Sequence, residues 1–306
     1  MRILFIFLDG VGLGLDDARI NPFARADTPT IRTLLGGHSL TAETAPYEGE
    51  LASLLALDAC LGVPGLPQSA TGQATLLTGI NVPSALGYHY GPKPNPAVAE
   101  FLRNGNLFAR LQQKGKRAAL LNAYPPRYFA AIHSGRRIYS AIPQAVVHSG
   151  LELMNADDLN RGHALSADFT GQGWVEHLGL PGTPLLTPYQ AGERMAALSR
   201  KYEFSLFEYW LSDYAGHRQD MAEACRLLER FDQVLAGLVF AWDCQEGLIL
   251  MTSDHGNLED LSTRRHTRNP VPALCISTPG LRSQFCAAMK DLSDIPIAIQ
   301  RYLSMP

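Results

Sequence analysis

Three aspartates and three histidines hold the chemistry that this sequence offers. Asp9 follows the apolar run Ile3–Leu8, Asp213 follows Phe204–Leu211, and Asp254 follows Gly247–Ser253. His255 adjoins Asp254, His217 stands shortly after Asp213, and His266 opens His266-Thr267-Arg268-Asn269-Pro270-Val271-Pro272. Taken singly, each aspartate is an ordinary turn or cap residue. The repetition of strand-then-Asp is what carries meaning. In a parallel sheet the carboxyl ends of the strands share one edge, where open α/β sheets keep their ligands. A spacing of four puts Asp213 and His217 on one face if they open a helix. Carboxylate and imidazole donors without thiolates suit divalent ions such as Mn²⁺ and Zn²⁺, with Mg²⁺ also compatible. The donors fit two ions better than one, at about four ligands each. A pair of neighbouring ions is the apparatus of phosphoryl transfer.

A hydroxyl is the remaining requirement. Leu66-Pro67-Gln68-Ser69-Ala70-Thr71-Gly72 leads from a loop into a short apolar helix. The ordinary reading of Ser69 is an N-cap. Its functional reading is a nucleophile, because a helix N-terminus favours an incoming phosphate. A serine hydroxyl needs a base or a metal to activate it, and no Gly-x-Ser-x-Gly elbow surrounds this one, so a metal is the expected activator. The glycines of Gly10-Val11-Gly12-Leu13-Gly14 fail the dinucleotide spacing, since Leu15 stands where the third glycine belongs.

These groups need a scaffold that brings strand ends together. The apolar runs, with a further strand over Arg117–Leu121 and another over Pro272–Ser277, predict an α/β fold: a mostly parallel sheet with helices on both faces. Helical patterns fall after Asp27-Thr28-Pro29, over Ala97–Gly115, Pro188–Tyr202, about Gln219–Trp242 and Ile295–Leu303. The Gly- and Pro-rich stretch 87–98 marks a boundary. The expected organisation is a core formed by 1–90 and 190–306, with 91–189 as an inserted cap. That insertion carries Arg127, His133, Arg136 and Arg137, candidates for clamping a substrate phosphate.

The 306 residues are 46% apolar and 18% charged, with a formal net charge of -3. This suits a globular protein and gives no basic footprint for nucleic acid. No apolar run reaches the roughly 20 residues of a membrane helix. The odd, scattered cysteines (Cys60, Cys225, Cys244, Cys275 and Cys286) form no disulfide framework or zinc cage. A cytoplasmic protein is expected.

Asp9-Gly10, Asp213-x-x-x-His217, Asp254-His255-Gly256-Asn257 and the run from His266 to Pro272 resemble the alkaline phosphatase superfamily. The branch they resemble most is that of the cofactor-independent phosphoglycerate mutases and phosphopentomutases. The resemblance covers about 1–85 and 190–280. It implies one metal on Asp213, His217 and His266, and a second on Asp9, Asp254 and His255. It further implies that Ser69 bridges towards the metals and takes up the phosphoryl group covalently, with Thr71 as the reserve nucleophile. Gln73 stands where the mutases commonly carry His, and 306 residues is short for a mutase. Ser69 also lacks the Pro and Arg that follow a sulfatase's formylglycine. The expectation is two-metal phosphoryl transfer on a small phosphorylated metabolite, leaning to a phosphatase or phosphodiesterase. A phosphomutase is the alternative, and a non-catalytic metal- or ligand-binding protein the rival from another class.

Overall fold

The computed structural model describes residues 1–304. Its strands are β1 (Arg2–Leu8), β2 (Tyr47–Glu48), β3 (Ala52–Leu57), β4 (Ala118–Leu120), β5 (Phe204–Tyr209), β6 (Gly247–Thr252) and β7 (Val271–Ile276). They form one sheet in the order β2-β3-β7-β6-β1-β5-β4. β1 lies parallel to both β5 and β6, and β5 parallel to β4. β7 runs antiparallel to β6 and β3, and β2 antiparallel to β3. The sheet is therefore mixed, where a mostly parallel one was expected. An apolar run such as Val271–Ile276 encodes burial but not direction, and the β2–β3 hairpin lies in a stretch without a clear pattern.

The centre of the sheet is the part that positions chemistry. β6, β1 and β5 are adjacent and parallel, so the residues following them, Asp254, Asp9 and Asp213, emerge at one edge. These strands are buried on both faces, and their residues alternate between two cores. Ile3, Phe5, Phe7, Leu206, Leu248 and Leu250 enter one. Leu4, Ile6, Leu8, Phe207, Ile249 and Met251 enter the other.

The first core is covered by the helices Ser69–Thr78, Pro96–Asn104, Leu107–Gln113, Ala141–His148 and Asp294–Tyr302. Pro188–Ser199 and Met221–Ala241 cover the second. The helical stretch after Ala97 breaks at Gly105, and Asn106 caps the next helix through the Ala109 amide. Residues 91–189, expected as an inserted cap, add β4 to the sheet edge and bury Val98, Leu102, Phe108, Ile142 and Val146 in the first core. The segment shares the main core because its helices carry an apolar face that needs the sheet to cover it. A small separate cluster of Ala123, Leu159, Ala164 and Trp174 lies within it. All five cysteines are free thiols. No helix among the described residues is long and apolar enough to cross a membrane.

Candidate active site

The three aspartates and His255 sit where a strand hands over to a loop or helix. Asp9 follows β1, and Gly10 then takes φ 67°. A Cβ there would crowd Asp213, so the residue after Asp9 must be glycine for these two carboxylates to approach. β5 passes into the helix Leu211–Arg218, which places His217 one turn beyond Asp213, with Nε2 3.3 Å from Asp213 Oδ2. Asp254 and His255 form the loop after β6. The loop carrying His266 is tied to it, the Thr267 amide donating to the Gly256 carbonyl at 2.9 Å.

Two groups of ligand atoms result, each with its members within 4.8 Å of one another: Asp213, His217 and His266, and Asp9, Asp213 and His255. His255 Nε2 lies 3.4 Å from Asp9 Oδ1 and 3.7 Å from Asp254 Oδ1. His266 Nε2 lies 3.8 Å from Asp213 Oδ1. Asp213 is thus common to both groups, whereas the resemblance assigns Asp254 to the second. Asp254 stands beside that group, fully buried, and accepts a hydrogen bond from Gln73 Nε2 at 3.1 Å. Gln73 therefore steadies the cluster from the position where the mutases commonly carry His.

The far nitrogens of two imidazoles are anchored. Nδ1 of His217 meets the Arg264 carbonyl and Nδ1 of His266 the Pro67 carbonyl, each at 2.8 Å. A carbonyl requires the proton on Nδ1, which leaves Nε2 with its lone pair towards the cluster, as a metal requires.

The charges point the same way. Burial, then the neighbouring Asp254, Asp213 and Glu208, push the Asp9 carboxyl well above its ordinary range. Burial and then Asp213 push Asp254 up to about 7. Burial also works against ionised Asp213, but His217, His255 and Asn257 outweigh it and hold that group at about 2. Burial lowers His255, and burial with neighbouring His255 lowers His266. The hydrogen bond with Asp213 raises His217. Asp9 Oδ1 is buried without a hydrogen-bond partner. Among the described residues no Lys or Arg pairs with Asp9, Asp213 or Asp254. Crowded carboxylates beside imidazoles, with no Lys or Arg counter-ion, suit divalent cations, and the donor set fits them.

Ser69 begins the helix Ser69–Thr78 and is 6% exposed. The residue at the cap position is Gln68, without a side-chain cap bond. The Ser69 hydroxyl instead lies 3.0 Å from His255 Nε2. The capping explanation fails, and the hydroxyl joins the cluster. The reserve residue, Thr71, is engaged elsewhere: its hydroxyl contacts the Gln68 and Tyr90 carbonyls at 3.2 and 3.3 Å and accepts from the Tyr90 amide at 3.1 Å.

Of the four substrate candidates, Arg127 and His133 are exposed on the helix Pro126–His133, and Arg136 bonds Ser134. Arg137 differs. Its guanidinium lies 4.8 Å over the Tyr128 ring, which packs on Tyr124, whose hydroxyl donates to Glu208 Oε2 at 3.2 Å. Glu208, on β5, is 5% exposed, and burial pushes its carboxyl up to about 7. Sequence reasoning passed over Glu208, although an acid inside Phe204-Ser205-Leu206-Phe207-Glu208-Tyr209 was the signal. It also left Asn257 without a role. Asn257 Nδ2 donates to Asp213 Oδ1 at 2.7 Å and to the Asp213 carbonyl at 3.2 Å.

Residues 191–306 match the family model described as the Metalloenzyme superfamily. The 2,3-bisphosphoglycerate-independent phosphoglycerate mutase of Methylobacillus flagellatus is 31% identical over 105 residues, 31% of this chain and 20% of that protein. The corresponding mutase of Desulforudis audaxviator is 28% identical over 127 residues, 37% of this chain and 25% of its own length. The chain thus aligns with only a fifth to a quarter of these relatives. A solved Pyrococcus horikoshii protein superposes with a TM-score of 0.58 at 15% identity, covering 99% of this chain and 96% of its own. Leishmania mexicana phosphoglycerate mutase, crystallised at low cobalt concentration, gives 0.51 at 12% identity, with 99% and 95% covered.

Proposed function

We propose that this chain, a member of the alkaline phosphatase superfamily, transfers the phosphoryl group of a small phosphorylated metabolite through a phosphoserine at Ser69. The observation that carries the reading is the buried Ser69 hydroxyl, free of any capping role and 3.0 Å from His255 Nε2 within the carboxylate–imidazole cluster. Asp213, His217 and His266 would hold one divalent cation. Asp9, Asp213 and His255, with Asp254 and Ser69 beside them, would hold the other; Mn²⁺ or Zn²⁺ suits best and Mg²⁺ is compatible. Such cations supply positive charge that favours an ionised nucleophile and offsets the charge gathering on the transferred group.

The residues of the chain do the rest. The Ser69–Thr78 helix directs the positive end of its dipole at the substrate phosphate. Ser69 Oγ forms its bond to phosphorus as the ester P–O bond breaks, and the proton Ser69 gives up ends on the leaving oxygen. Water then cleaves the Oγ–P bond, releasing phosphate and restoring the hydroxyl. Arg137, held over Tyr128 and near Glu208, is the candidate for an anionic part of the substrate. Lys93 belongs with it: burial and Arg137 both lower its pKa. Gly91, in the same loop, packs against the Ser69 amide.

Hydrolysis is favoured over transfer back to the substrate. A mutase has to keep its dephosphorylated intermediate from water. Here much of 91–189 is spent on the shared core, which leaves little chain to enclose one. The phosphomutase reading rests on the motif resemblance and on the names of the aligned relatives.

The test is phosphate release from sugar phosphates, phosphoglycerates and phosphodiesters (the last with a coupled phosphatase), with Mn²⁺ and then with EDTA. Release that needs the metal and disappears in Ser69→Ala is the expected result. Isomerised esters without release would make the enzyme a mutase. Neither, in a protein that holds two metals, would mean a binding protein.

A further inference from the structure

Glu259 belongs to none of the motifs that suggested the metal centre, yet it touches the three loops that carry Asp9, His255 and His266. The side chain is 1% exposed. Its Oε2 accepts from the backbone amides of Gly12 and Asn257, each at 2.8 Å. Its Oε1 accepts from Asn269 Nδ2 at 3.0 Å and from the Thr267 hydroxyl. Four donors fill the acceptor capacity of one carboxylate. Those donors come from the loop after Asp9, the loop after His255 and the loop after His266.

Gly12 and Gly14 of Gly10-Val11-Gly12-Leu13-Gly14 take their meaning from this contact. A methyl on Gly12 or on Gly256 would overlap the Glu259 carboxyl, and one on Gly14 would meet the Glu259 carbonyl at 2.7 Å. The loop wraps a protein carboxylate, and the spacing that failed for a dinucleotide is explained. Asn257, held through its backbone by Glu259, passes the constraint on, because its side chain grips Asp213.

We infer that Glu259 is a positioning residue for the metal centre: one buried carboxylate fixes the three loops carrying Asp9, His255 and His266, and through Asn257 it sets the orientation of Asp213. The inference rests on the metal-centre reading above. Outer groups that orient metal ligands typically change affinity 10- to 100-fold when removed. Removing Glu259 also leaves two buried backbone amides without partners.

The experiment is a Co²⁺ titration of the metal-free protein, followed by visible absorption, on wild type, Glu259→Ala, Glu259→Gln and Asn269→Ala. Circular dichroism and melting are recorded beside it. Glu259→Ala is expected to stay folded, bind Co²⁺ at least about tenfold more weakly and show an altered ligand-field spectrum. Glu259→Gln is expected to recover most of both, because the amide carbonyl keeps the two backbone amides while Thr267 and Asn269 can reverse their roles. Should Glu259→Ala not fold, Asn269→Ala removes one hydrogen bond alone and is expected to weaken binding at an unchanged melting temperature. A folded Glu259→Ala with wild-type affinity and spectrum overturns the inference; so does such an Asn269→Ala when Glu259→Ala is unfolded. A wild-type protein that binds no Co²⁺ overturns the metal-centre reading itself, and this inference with it.

Discussion

The Ser69 hydroxyl and His255 Nε2 meet at 3.0 Å across 186 residues of sequence. The strand that delivers His255 and the helix that begins with Ser69 have no local reason to meet, so the contact is made by the fold. Gly72 permits it: a Cβ there would crowd Asp254 at 2.9 Å. This relationship separates Ser69 from Thr71, whose hydroxyl is already committed to the 88–90 loop. Ser69→Ala is expected to lower turnover by roughly a thousandfold or more while both metals stay bound. Thr71→Ala is expected to keep the phosphorylated intermediate, at some cost in stability. Acid quenching during turnover, followed by peptide mass spectrometry, reads this directly. Phosphate on a peptide lacking Ser69 would refute the assignment.

His217 offers the cleanest separation of the two metal groups. Its side chain is 43% exposed, whereas that of His255 is fully buried. His217→Ala removes one ligand of the Asp213–His217–His266 group with little loss of packing. The expected outcome is a melting temperature within a few degrees of wild type and a metal content reduced by about one ion, from about two. Plasma emission analysis after dialysis checks it. Retention of two tightly held ions would show that His217 is no ligand.

How far the sequence revealed this centre depends on how local each signal is. The three aspartates were legible because each follows a continuous apolar run, and a buried strand needs no partner to be recognised. The pairing of Asp213 with His217 was legible for the same reason, as a helical spacing. Strand direction was not, since Val271–Ile276 would look alike either way round, and the mixed sheet followed from that. The role of 91–189 was also hidden, because Ala118–Leu120 is three residues long and its neighbour β5 lies far along the chain. Glu259 was illegible for a related reason. Its contact with Gly12 spans 247 residues, and nothing in Asn257-Leu258-Glu259 announces it.

Glu208 sets a pH dependence for the metal-free protein. Its carboxyl ordinarily titrates near 4.5, and burial moves it to about 7 in the fold. The folded state therefore binds the proton more tightly than the unfolded chain does. Below pH 4.5 the group is protonated in both states and costs nothing. Between 4.5 and 7 the cost of ionising it inside the fold grows, and above 7 it is complete, at roughly 3 kcal/mol as an upper bound. With EDTA present, Glu208→Gln should gain stability over wild type as pH rises from 5 to 8, and match it near pH 4.5. Urea unfolding at a series of pH values measures the difference. A gap between the two proteins that does not change with pH would contradict the burial argument.

Gly216 pits helix propensity against the site. It is buried in the helix Leu211–Arg218, where alanine would be favoured by about 1 kcal/mol. A Cβ at that position would lie 2.7 Å from Asn257 Cγ and 2.8 Å from its Oδ1. The Asn257 side chain is short and already holds Asp213 at 2.7 Å, so it has to move off that carboxylate to make room. The gain in helix and the loss in packing nearly cancel in stability, but they act on different things, because only the second touches a ligand. Gly216→Ala is therefore expected to melt within a few degrees of wild type while binding Co²⁺ several-fold more weakly. Calorimetric titration beside a thermal melt gives both numbers on one sample. Wild-type affinity in this variant would mean that Asp213 keeps its place without Asn257, and that the helix alone sets the geometry of the Asp213–His217–His266 group.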